Sequence, residues 1–301
     1  MPSTLPPPRP NQPFFTVSAL EGGRVTCPAG LLIDPVPEGV DKLVVPATPF
    51  LLRHSLTKQN ILFDLGVRKD YNNLPPALAK RVNQTFQPVD VSETVVDALA
   101  KGGLTPAEIS HVFLSHIHWD HIGDTALFPY STLVAGDAAA PLVEHGYPHD
   151  PESLFDSALL PPDRTVYLHP SGWGPVGPFP RAIDYYGDGS LYIVDAPGHL
   201  AGHYNFLVRT SADGGWMYLG GDMAHDLRII TGELKVPVYH NAQTGLTMCM
   251  HADKGAAEEH IARVRKLLSI PRVRITIAHN KLWYDKARDG PEFWPRSFKS
   301  L

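Results

Sequence analysis

Four side chains of the types that bind zinc lie within one stretch of six residues. They are His116, His118, Asp120 and His121, in the pattern H-x-H-x-D-H. Neutral imidazole is the commonest zinc ligand in proteins, and carboxylate oxygens complete such sites. Alternate side chains of an extended backbone point the same way, so His116 and His118 share one side while the next two ligands turn toward a second point. The spacing therefore favours two metal ions over one.

Four candidate ligands each follow a short apolar stretch that predicts a buried strand. The stretch 111–115 precedes His116, 191–194 precedes His199, 216–219 precedes Asp222, and 273–278 precedes His279. Strand ends hold side chains on a rigid scaffold and leave their tips exposed. The pattern is therefore typical of a site assembled from several strand ends.

The remaining pattern predicts further strands and a few amphipathic helices that would position these loops. Residues 50–64 predict a β-hairpin with a polar turn. Residues 92–101 predict a short helix with Ser92 as its N-cap. Residues 253–270 predict a longer helix, because their apolar side chains fall on one face.

We expect a single domain over residues 1–301, because 43% apolar residues can form a large core and no second core pattern is visible. The proline-rich residues 1–13 predict an extended N-terminal arm. The segment from about 141 to 189 is rich in proline, glycine and aromatic residues and has weak periodicity. It predicts a loop-rich insertion or lid.

Composition argues against several classes of partner. The formal net charge is −5 and the 26 basic residues form no run, so nucleic acid is not expected. No apolar run approaches the roughly 18 residues that cross a bilayer, so no membrane partner is expected. The first residues lack the features of a signal peptide, which favours a cytoplasmic protein. Cys27 and Cys249 are far apart and are expected to be reduced thiols.

The sequence resembles the metallo-β-lactamase superfamily of hydrolases. The shared motifs lie in order over roughly residues 50–280: L-F-D-L-G at 62–66, the H-x-H-x-D-H cluster, P-G-H-x-x-G-H at 197–203, Gly221-Asp222, and His279. The resemblance implies an α/β fold of the αββα sandwich type, with two mixed β-sheets face to face and helices on the outside.

The same resemblance implies roles for the candidate ligands and two zinc ions per chain. His116, His118 and His199 would hold one zinc ion, Asp120, His121 and His279 the other, and Asp222 would bridge them. Asp120 would also orient the attacking hydroxide and shuttle a proton to the leaving group. His203 is expected to be a supporting residue and not a ligand.

Within the superfamily the chain resembles quorum-quenching lactonases, which open N-acyl homoserine lactones. The resemblance implies attack of a metal-bridging hydroxide on the carbonyl of a small lactone or ester. These enzymes usually have tyrosine three residues after the bridging aspartate, where this chain has His225. His225 is expected to donate a hydrogen bond to the oxyanion as a catalytic residue. Trp119, Phe155, Trp173 and Tyr239 are candidate walls of the substrate pocket.

Two other functions remain open from the sequence. The first is a thioesterase or esterase of the same fold that acts on acyl or polyketide thioesters. The second is a non-catalytic metal-binding scaffold, although all seven ligand positions are filled. The sequence leaves open whether the protein is a monomer or a homodimer.

Overall fold

The protein is represented by a computed structural model that describes residues 4–240 and 245–301. Its strands are β1 Phe15–Ala19, β2 Arg24–Pro28, β3 Lys42–Pro46, β4 Phe50–His54, β5 Asn60–Phe63, β6 Val89–Asp90, β7 Ile109–Phe113, β8 Thr132–Gly136, β9 Thr165–Leu168, β10 Gly174–Val176, β11 Phe179–Asp184, β12 Leu191–Asp195, β13 Tyr204–Arg209, β14 Trp216–Leu219, β15 Tyr239–His240, β16 Thr247–Met248 and β17 Val273–Thr276. Its α-helices are α1 Ala29–Leu32, α2 Pro76–Thr85, α3 Val95–Ala100, α4 Ala140–Glu144, α5 Leu227–Thr231, α6 Lys254–Arg265 and α7 Lys281–Ala287. Single 3-10 turns lie at Tyr71–Asn73, Pro106–Glu108, Thr125–Leu127, Asp137–Ala139 and Lys266–Ser269.

Two six-stranded sheets pack face to face through their apolar sides. The first has the order β1-β4-β5-β7-β8-β9 and the second the order β10-β11-β12-β13-β14-β17. Phe63 and Phe113 of the first sheet meet Phe206 of the second, with ring centroids 4.4 and 5.0 Å apart. This buried aromatic contact forms the centre of the core between the sheets.

Helices cover the outer faces of both sheets. Leu99 of α3 packs with Leu62 of the first sheet, and Val264 of α6 packs with Tyr218 of the second. All four side chains are fully buried. The architecture confirms the αββα sandwich expected from the sequence motifs.

The sheet directions bring several strand ends to one edge of the sandwich. In the first sheet β5, β7, β8 and β9 run parallel, and in the second β14 and β17 run parallel. The strand β12 is antiparallel to β13, which is antiparallel to β14, so β12 and β14 end on the same side. The loops that follow β7, β12, β14 and β17 carry the candidate ligands, and the loop that follows β5 carries Asp64.

A smaller unit lies beside this edge. It contains the three-stranded sheet β3-β2-β6, the hairpin β15-β16, and the helices α1 and α2. Val25, Leu32, Leu78 and Phe86 from this unit form a separate apolar cluster that includes Trp119. The cluster forms one side of the cavity described below.

The predicted hairpin is confirmed, while both helix boundaries shift. The strands β4 and β5 pair antiparallel within residues 50–63. Helix α3 begins at Val95 with Thr94 as its N-cap, and not at Ser92. Thr94 and Asp97 bond reciprocally to each other's backbone N–H, which satisfies two donors at once. The second predicted helix, 253–270, is α-helical over residues 254–265 and continues as a 3-10 turn over residues 266–269.

The segment 141–189 contains more regular structure than its sequence predicts. Strand β9 is the last strand of the first sheet, and β10 and β11 form the edge of the second. Residues 145–164 form the segment's longest stretch without helix or strand elements. Gly174-Pro175 in β10 and Pro180 in β11 hide the alternating pattern. Proline is tolerated in β10 because it is the edge strand, and Pro180 lies before residues 182–184 of β11, which pair with β12.

Residues 4–13 of the N-terminal arm contain no helix or strand and are tied to the second sheet. The guanidinium of Arg209 donates to the backbone oxygen of Pro6 at 2.9 Å, and the Gln12 amide donates to that of Asp188 at 2.8 Å. Among the described residues, no helix has the length and apolar character needed to span a membrane.

Candidate metal centre

The loop after β7 is held by a carboxylate at the end of β5. Asp64 accepts hydrogen bonds from the Ser115 backbone N–H at 2.7 Å, the Ser115 hydroxyl at 2.8 Å and His121 Nδ1 at 2.8 Å. Its backbone has φ = 64°, in the left-handed region that non-glycine residues rarely occupy. The three bonds hold Asp64 in this conformation and fix both ends of the loop.

Hydrogen bonds on the outer ring nitrogens aim the inner nitrogens at a common centre. His116 Nδ1 lies 3.1 Å from the Ser115 hydroxyl oxygen, which accepts its proton because that hydroxyl donates to Asp64. His279 Nδ1 donates to the Pro46 backbone oxygen at 2.6 Å. Such outer partners fix the tautomer and the orientation of metal-binding histidines. The Nε2 lone pairs of both rings therefore face inward.

Three histidines and one carboxylate form the first group. The nitrogens His116 Nε2 and His199 Nε2 each lie 2.9 Å from His118 Nδ1. Asp222 Oδ2 lies 3.4 Å from His199 Nε2 and 3.9 Å from His116 Nε2. The four ligand atoms lie within 4.8 Å of one another.

A second group lies against the other side of Asp222. It consists of Asp120, His121 and His279, whose ligand atoms also lie within 4.8 Å of one another. Asp222 Oδ1 is 3.1 Å from His121 Nε2, and Asp222 Oδ2 is 3.2 Å from His279 Nε2. Asp120 Oδ2 is 3.5 Å from His279 Nε2. The Asp222 carboxylate therefore contacts both groups.

Two glycines let the backbone approach closely enough to place these side chains. Gly221 has φ = 47°, and a Cβ there would lie 2.9 Å from His203 Nε2 and from the Ser115 hydroxyl. Gly198 has φ = 131°, and a Cβ there would lie 2.4 Å from the Ala257 backbone nitrogen in α6. A side chain at either position would displace the ligand that follows it.

Burial keeps the three histidines of the first group neutral. It lowers the pKa of His118 to about 4 and holds the pKa values of His116 and His199 well below their usual range. A buried imidazole resists protonation because the charged ring loses its hydration. Neutral imidazole is the form that binds a metal.

Carboxylates reverse this effect in the second group. Burial alone would lower the pKa values of His121 and His279. The Asp222 carboxylate has a larger opposite effect, so both pKa values are raised, and Asp64 adds to this effect at His121. Burial alone would raise the pKa of Asp222, but the same two histidines hold it well below its usual range. A cation that binds here must therefore displace protons from these rings.

The residues present fit two zinc ions. In the described part of the chain, Asp222 Oδ1 and His121 Nε2 are buried without a hydrogen-bond partner, although they lie 3.1 Å apart. A cation between them would satisfy both atoms. Ligands at the usual zinc distance of about 2.0–2.1 Å are separated by roughly 3.3 Å in a tetrahedron. Four of the six ligand-atom separations in the first group are 2.9 to 3.9 Å, which is close to that value, and all six lie within 4.8 Å.

All seven side chains predicted as ligands from the sequence meet at this edge, and His203 and His225 lie beside them. His203 donates through Nδ1 to the Ala196 backbone oxygen at 3.1 Å and accepts through Nε2 from the Asp222 backbone N–H at 3.2 Å. Both ring nitrogens are thus occupied by backbone, in agreement with a supporting role. His225 Nε2 is 3.5 Å from Asp222 Oδ2.

Sequence reasoning missed two residues of the site. It assigned no role to Asp64, although the F-D-x-G strand end was visible. It also missed His251, whose Nδ1 lies 3.3 Å from His199 Nδ1 and whose ring centroid is 5.0 Å from that of His225. His251 belongs to no motif, so only the three-dimensional contact reveals it. Burial lowers its pKa to about 3, so its ring is neutral and can accept the His199 proton.

A cavity of about 270 Å³ opens from this centre. His118, Asp120, His199, Asp222, His225 and His279 form its polar end. Its other walls are mainly apolar and are formed by Val25, Cys27, Leu32, Val45, Leu78, Arg81, Phe86, Ile117, Trp119, Leu154, Phe155, Leu200, Tyr239, Met248, Cys249, Met250 and Ala252. Such a cavity can orient the polar end of a ligand and enclose an apolar body.

Three of the four aromatic residues predicted as walls line this cavity, namely Trp119, Phe155 and Tyr239. The prediction for Trp173 is wrong. It packs against the core between the sheets and lines a separate small cavity beside Gly202. Trp173 directly precedes the edge strand β10, which directs its side chain to the sheet interface and not to the metal centre.

Residues 44–225 match the metallo-beta-lactamase superfamily domain, and the chain belongs to this superfamily of metallo-hydrolases. A gamma-lactamase of Fusarium pseudograminearum is 34% identical over 206 residues, which are 66% of this chain and 50% of that protein. A metallo-hydrolase of Annulohypoxylon moriforme is 27% identical over 287 residues, which are 85% of this chain and 75% of that protein. The chain spans half or less of the length of several curated relatives that it matches.

A solved structure of similar fold is that of an N-acyl homoserine lactone hydrolase, with the product N-hexanoyl-L-homoserine bound at its catalytic metal centre. The TM-score is 0.71 at 17% sequence identity, over 95% of this chain and 99% of the other. At this identity the likeness shows a shared fold.

Proposed function

We propose that the protein is a dinuclear zinc hydrolase that opens the ester bond of a lactone of the N-acyl homoserine lactone type. The observation that carries this proposal is the pair of ligand groups that share the Asp222 carboxylate at the polar end of an otherwise apolar cavity. His116, His118 and His199 would hold one ion, and Asp120, His121 and His279 the other. Two bound zinc ions supply an activated water and a Lewis acid for the carbonyl oxygen.

The protein's own side chains then have separate tasks. Asp120 lines the cavity and faces the second group, so its carboxylate is placed to accept the proton of the attacking water and to pass it to the leaving oxygen. His225 lines the same end, and its Nδ1 is buried without a partner in the described residues. A ring with one free nitrogen can turn a donor toward the oxygen that becomes negative during ring opening.

The apolar walls select the rest of the substrate. Leu78, Phe86, Trp119 and Leu154 present carbon surface to the cavity and can enclose an acyl chain or ring system. Each buried methylene group of a ligand contributes about 0.8 kcal/mol. A small lactone with an apolar substituent therefore satisfies both ends of the cavity.

A cyclic amide is a second candidate substrate. The gamma-lactamase of Fusarium pseudograminearum shares 34% identity over 66% of this chain. The same metal centre can attack an amide carbonyl, but the departing nitrogen must receive a proton before it leaves. Asp120 would supply that proton, so lactam opening depends on this residue more strongly than lactone opening.

Metal analysis and a substrate panel test the proposal. We expect about two zinc ions per chain and turnover that a chelator removes and added zinc restores. The panel compares N-acyl homoserine lactones, γ-lactams, aryl esters and acyl thioesters, with the zinc-free protein as control. Preference for the lactones supports the proposal. Preference for lactams or thioesters would show that the enzyme acts on that class of substrate and not on lactones. Less than one metal ion per chain together with no turnover would instead indicate a scaffold.

A further inference from the structure

Arg81 is an exposed cationic side chain at the wall of the cavity. It lies on α2, three residues after Leu78, so both side chains are on the helix face that borders the cavity. Among the described residues, no lysine and no second arginine lines this cavity. The acidic residues of the wall, Asp120 and Asp222, belong to the candidate metal centre. Arg81 therefore supplies positive charge to a wall that is otherwise mainly apolar.

Arg81 also differs from every other arginine in its contacts. Each of the others donates a hydrogen bond, forms an ion pair or lies over an aromatic ring. Within residues 4–240 and 245–301, Arg81 has no such partner. A guanidinium offers five donors in a rigid plane that matches a carboxylate in two-point contact. At Arg81 this capacity is free to meet a ligand.

We propose that Arg81 binds a carboxylate carried by the substrate at a distance from the bond that is hydrolysed. This inference rests on the proposed function and narrows its substrate class to lactones with an apolar middle and a free carboxylate at the far end. Arg81 forms no ion pair with Asp120 or Asp222, so the carboxylates of the candidate metal centre do not neutralise its charge directly. Leu78 and Phe86 supply apolar wall of the same cavity.

The charge at this position favours a carboxylate over a phosphate monoester. One arginine without a second cation balances one negative charge. A phosphate monoester carries nearly two charges at neutral pH and usually meets several donors, such as further basic side chains or a helix N-terminus. A carboxylate meets the two-point geometry of a single guanidinium in full.

Two ligands that differ only at the far end test this inference. The first is an N-acyl homoserine lactone whose acyl chain ends in a carboxylate, and the second is its methyl ester. Their dissociation constants are measured by calorimetry on the zinc-free protein, where ring opening does not interfere, and their kcat/KM values on the zinc-loaded protein. The variants are Arg81→Met, which keeps most of the apolar stem, and Arg81→Lys, which keeps the charge. Lys80→Met is the matched control, because Lys80 is an exposed neighbour on α2 that does not line the cavity.

We expect the wild-type protein to bind the carboxylate ligand about two- to fivefold more tightly than the methyl ester, as one exposed charge-assisted contact allows. Arg81→Met should abolish this preference, Arg81→Lys should keep part of it, and Lys80→Met should keep all of it. Added salt should weaken the preference. Equal binding of the two ligands by the wild type, absence of binding by both, or an unchanged preference in Arg81→Met would overturn the inference. Preferential binding without turnover of either lactone would support Arg81 and refute the lactonase proposal.

Discussion

The two ends of the cavity are built in different ways. At the metal end, His116, His121 and His279 are each held by a hydrogen bond to a fixed acceptor on the outer side of the ring. At the apolar end, Phe86 and Trp119 are held by packing alone, with ring centroids 6.0 Å apart. Directional bonds fix the geometry that a reaction needs, while apolar packing tolerates changes of shape. The type of reaction thus depends on the first end, and the choice of substrate on the second.

The largest expected effect tests the metal end directly. Asp222→Asn removes the charge that both ligand groups share, so binding of the two cations weakens and turnover should fall by at least about a thousandfold. The chain should remain folded, because the substitution keeps the shape of the side chain. Turnover, metal content and circular dichroism measure the three quantities.

Asp226→Asn is the matched control, since Asp226 lies in the same loop but caps α5 and pairs with Arg228. It should lower stability without affecting turnover. Near-normal turnover of Asp222→Asn would show that this carboxylate does not join the two groups.

A smaller effect is expected from the residue that faces the reacting oxygen. His225→Phe removes the proposed hydrogen-bond donor and keeps a ring of similar size, so kcat should fall by about a hundredfold while zinc content stays unchanged. His251→Phe is the contrasting variant, because His251 contacts His199 and His225 but does not line the cavity. It should weaken zinc binding through His199. Equal loss of zinc and turnover in His225→Phe would make His225 a metal ligand.

The hydrogen-bonded support of the metal end can be weakened without touching a ligand. The Asp64 carboxylate accepts three hydrogen bonds, two from Ser115 and one from His121. In Asp64→Asn only the amide oxygen can accept, so fewer of these three donors are satisfied. We expect zinc affinity to fall by about 10- to 100-fold, the usual effect of losing such a partner. Competition with a chromogenic chelator measures the affinity.

Asp124→Asn, which alters the cap of the next 3-10 turn and an ion pair with Arg68 at 4.0 Å but no contact to a candidate ligand, is the control for this variant. An unaltered zinc affinity in Asp64→Asn would mean that the loop after β7 holds its shape without the carboxylate.

The difference between the metal end and the apolar end of the cavity also explains which site residues could be predicted from the sequence. The ligands at the metal end form local patterns, because a metal site needs several donors of few types at short spacing. Asp64 acts on His121 across 57 residues, so its F-D-x-G motif is visible in the sequence but its contact is not. His251 reaches His199 across 52 residues and belongs to no motif. The apolar wall is still harder to predict, since its residues look like core. Trp173 is an example, because it is predicted as a wall of the substrate cavity but packs against the core between the sheets.

The smallest expected effect tests the apolar end. Phe86 is 6% exposed and lines the cavity against Trp119, so Phe86→Leu removes part of the wall without altering the metal centre. We expect KM for lactones with long acyl chains to rise by roughly threefold to tenfold, since about 1 kcal/mol of apolar contact is lost. Short-chain lactones should keep their KM, and kcat should be unchanged for both. Phe128→Leu is the control, because Phe128 is fully buried in the core beneath the first sheet and does not line the cavity. It should lower the free energy of unfolding to a similar extent with no effect on KM. A uniform loss of kcat in Phe86→Leu would show that the two ends of the cavity are coupled and that the wall also orients the reacting carbonyl.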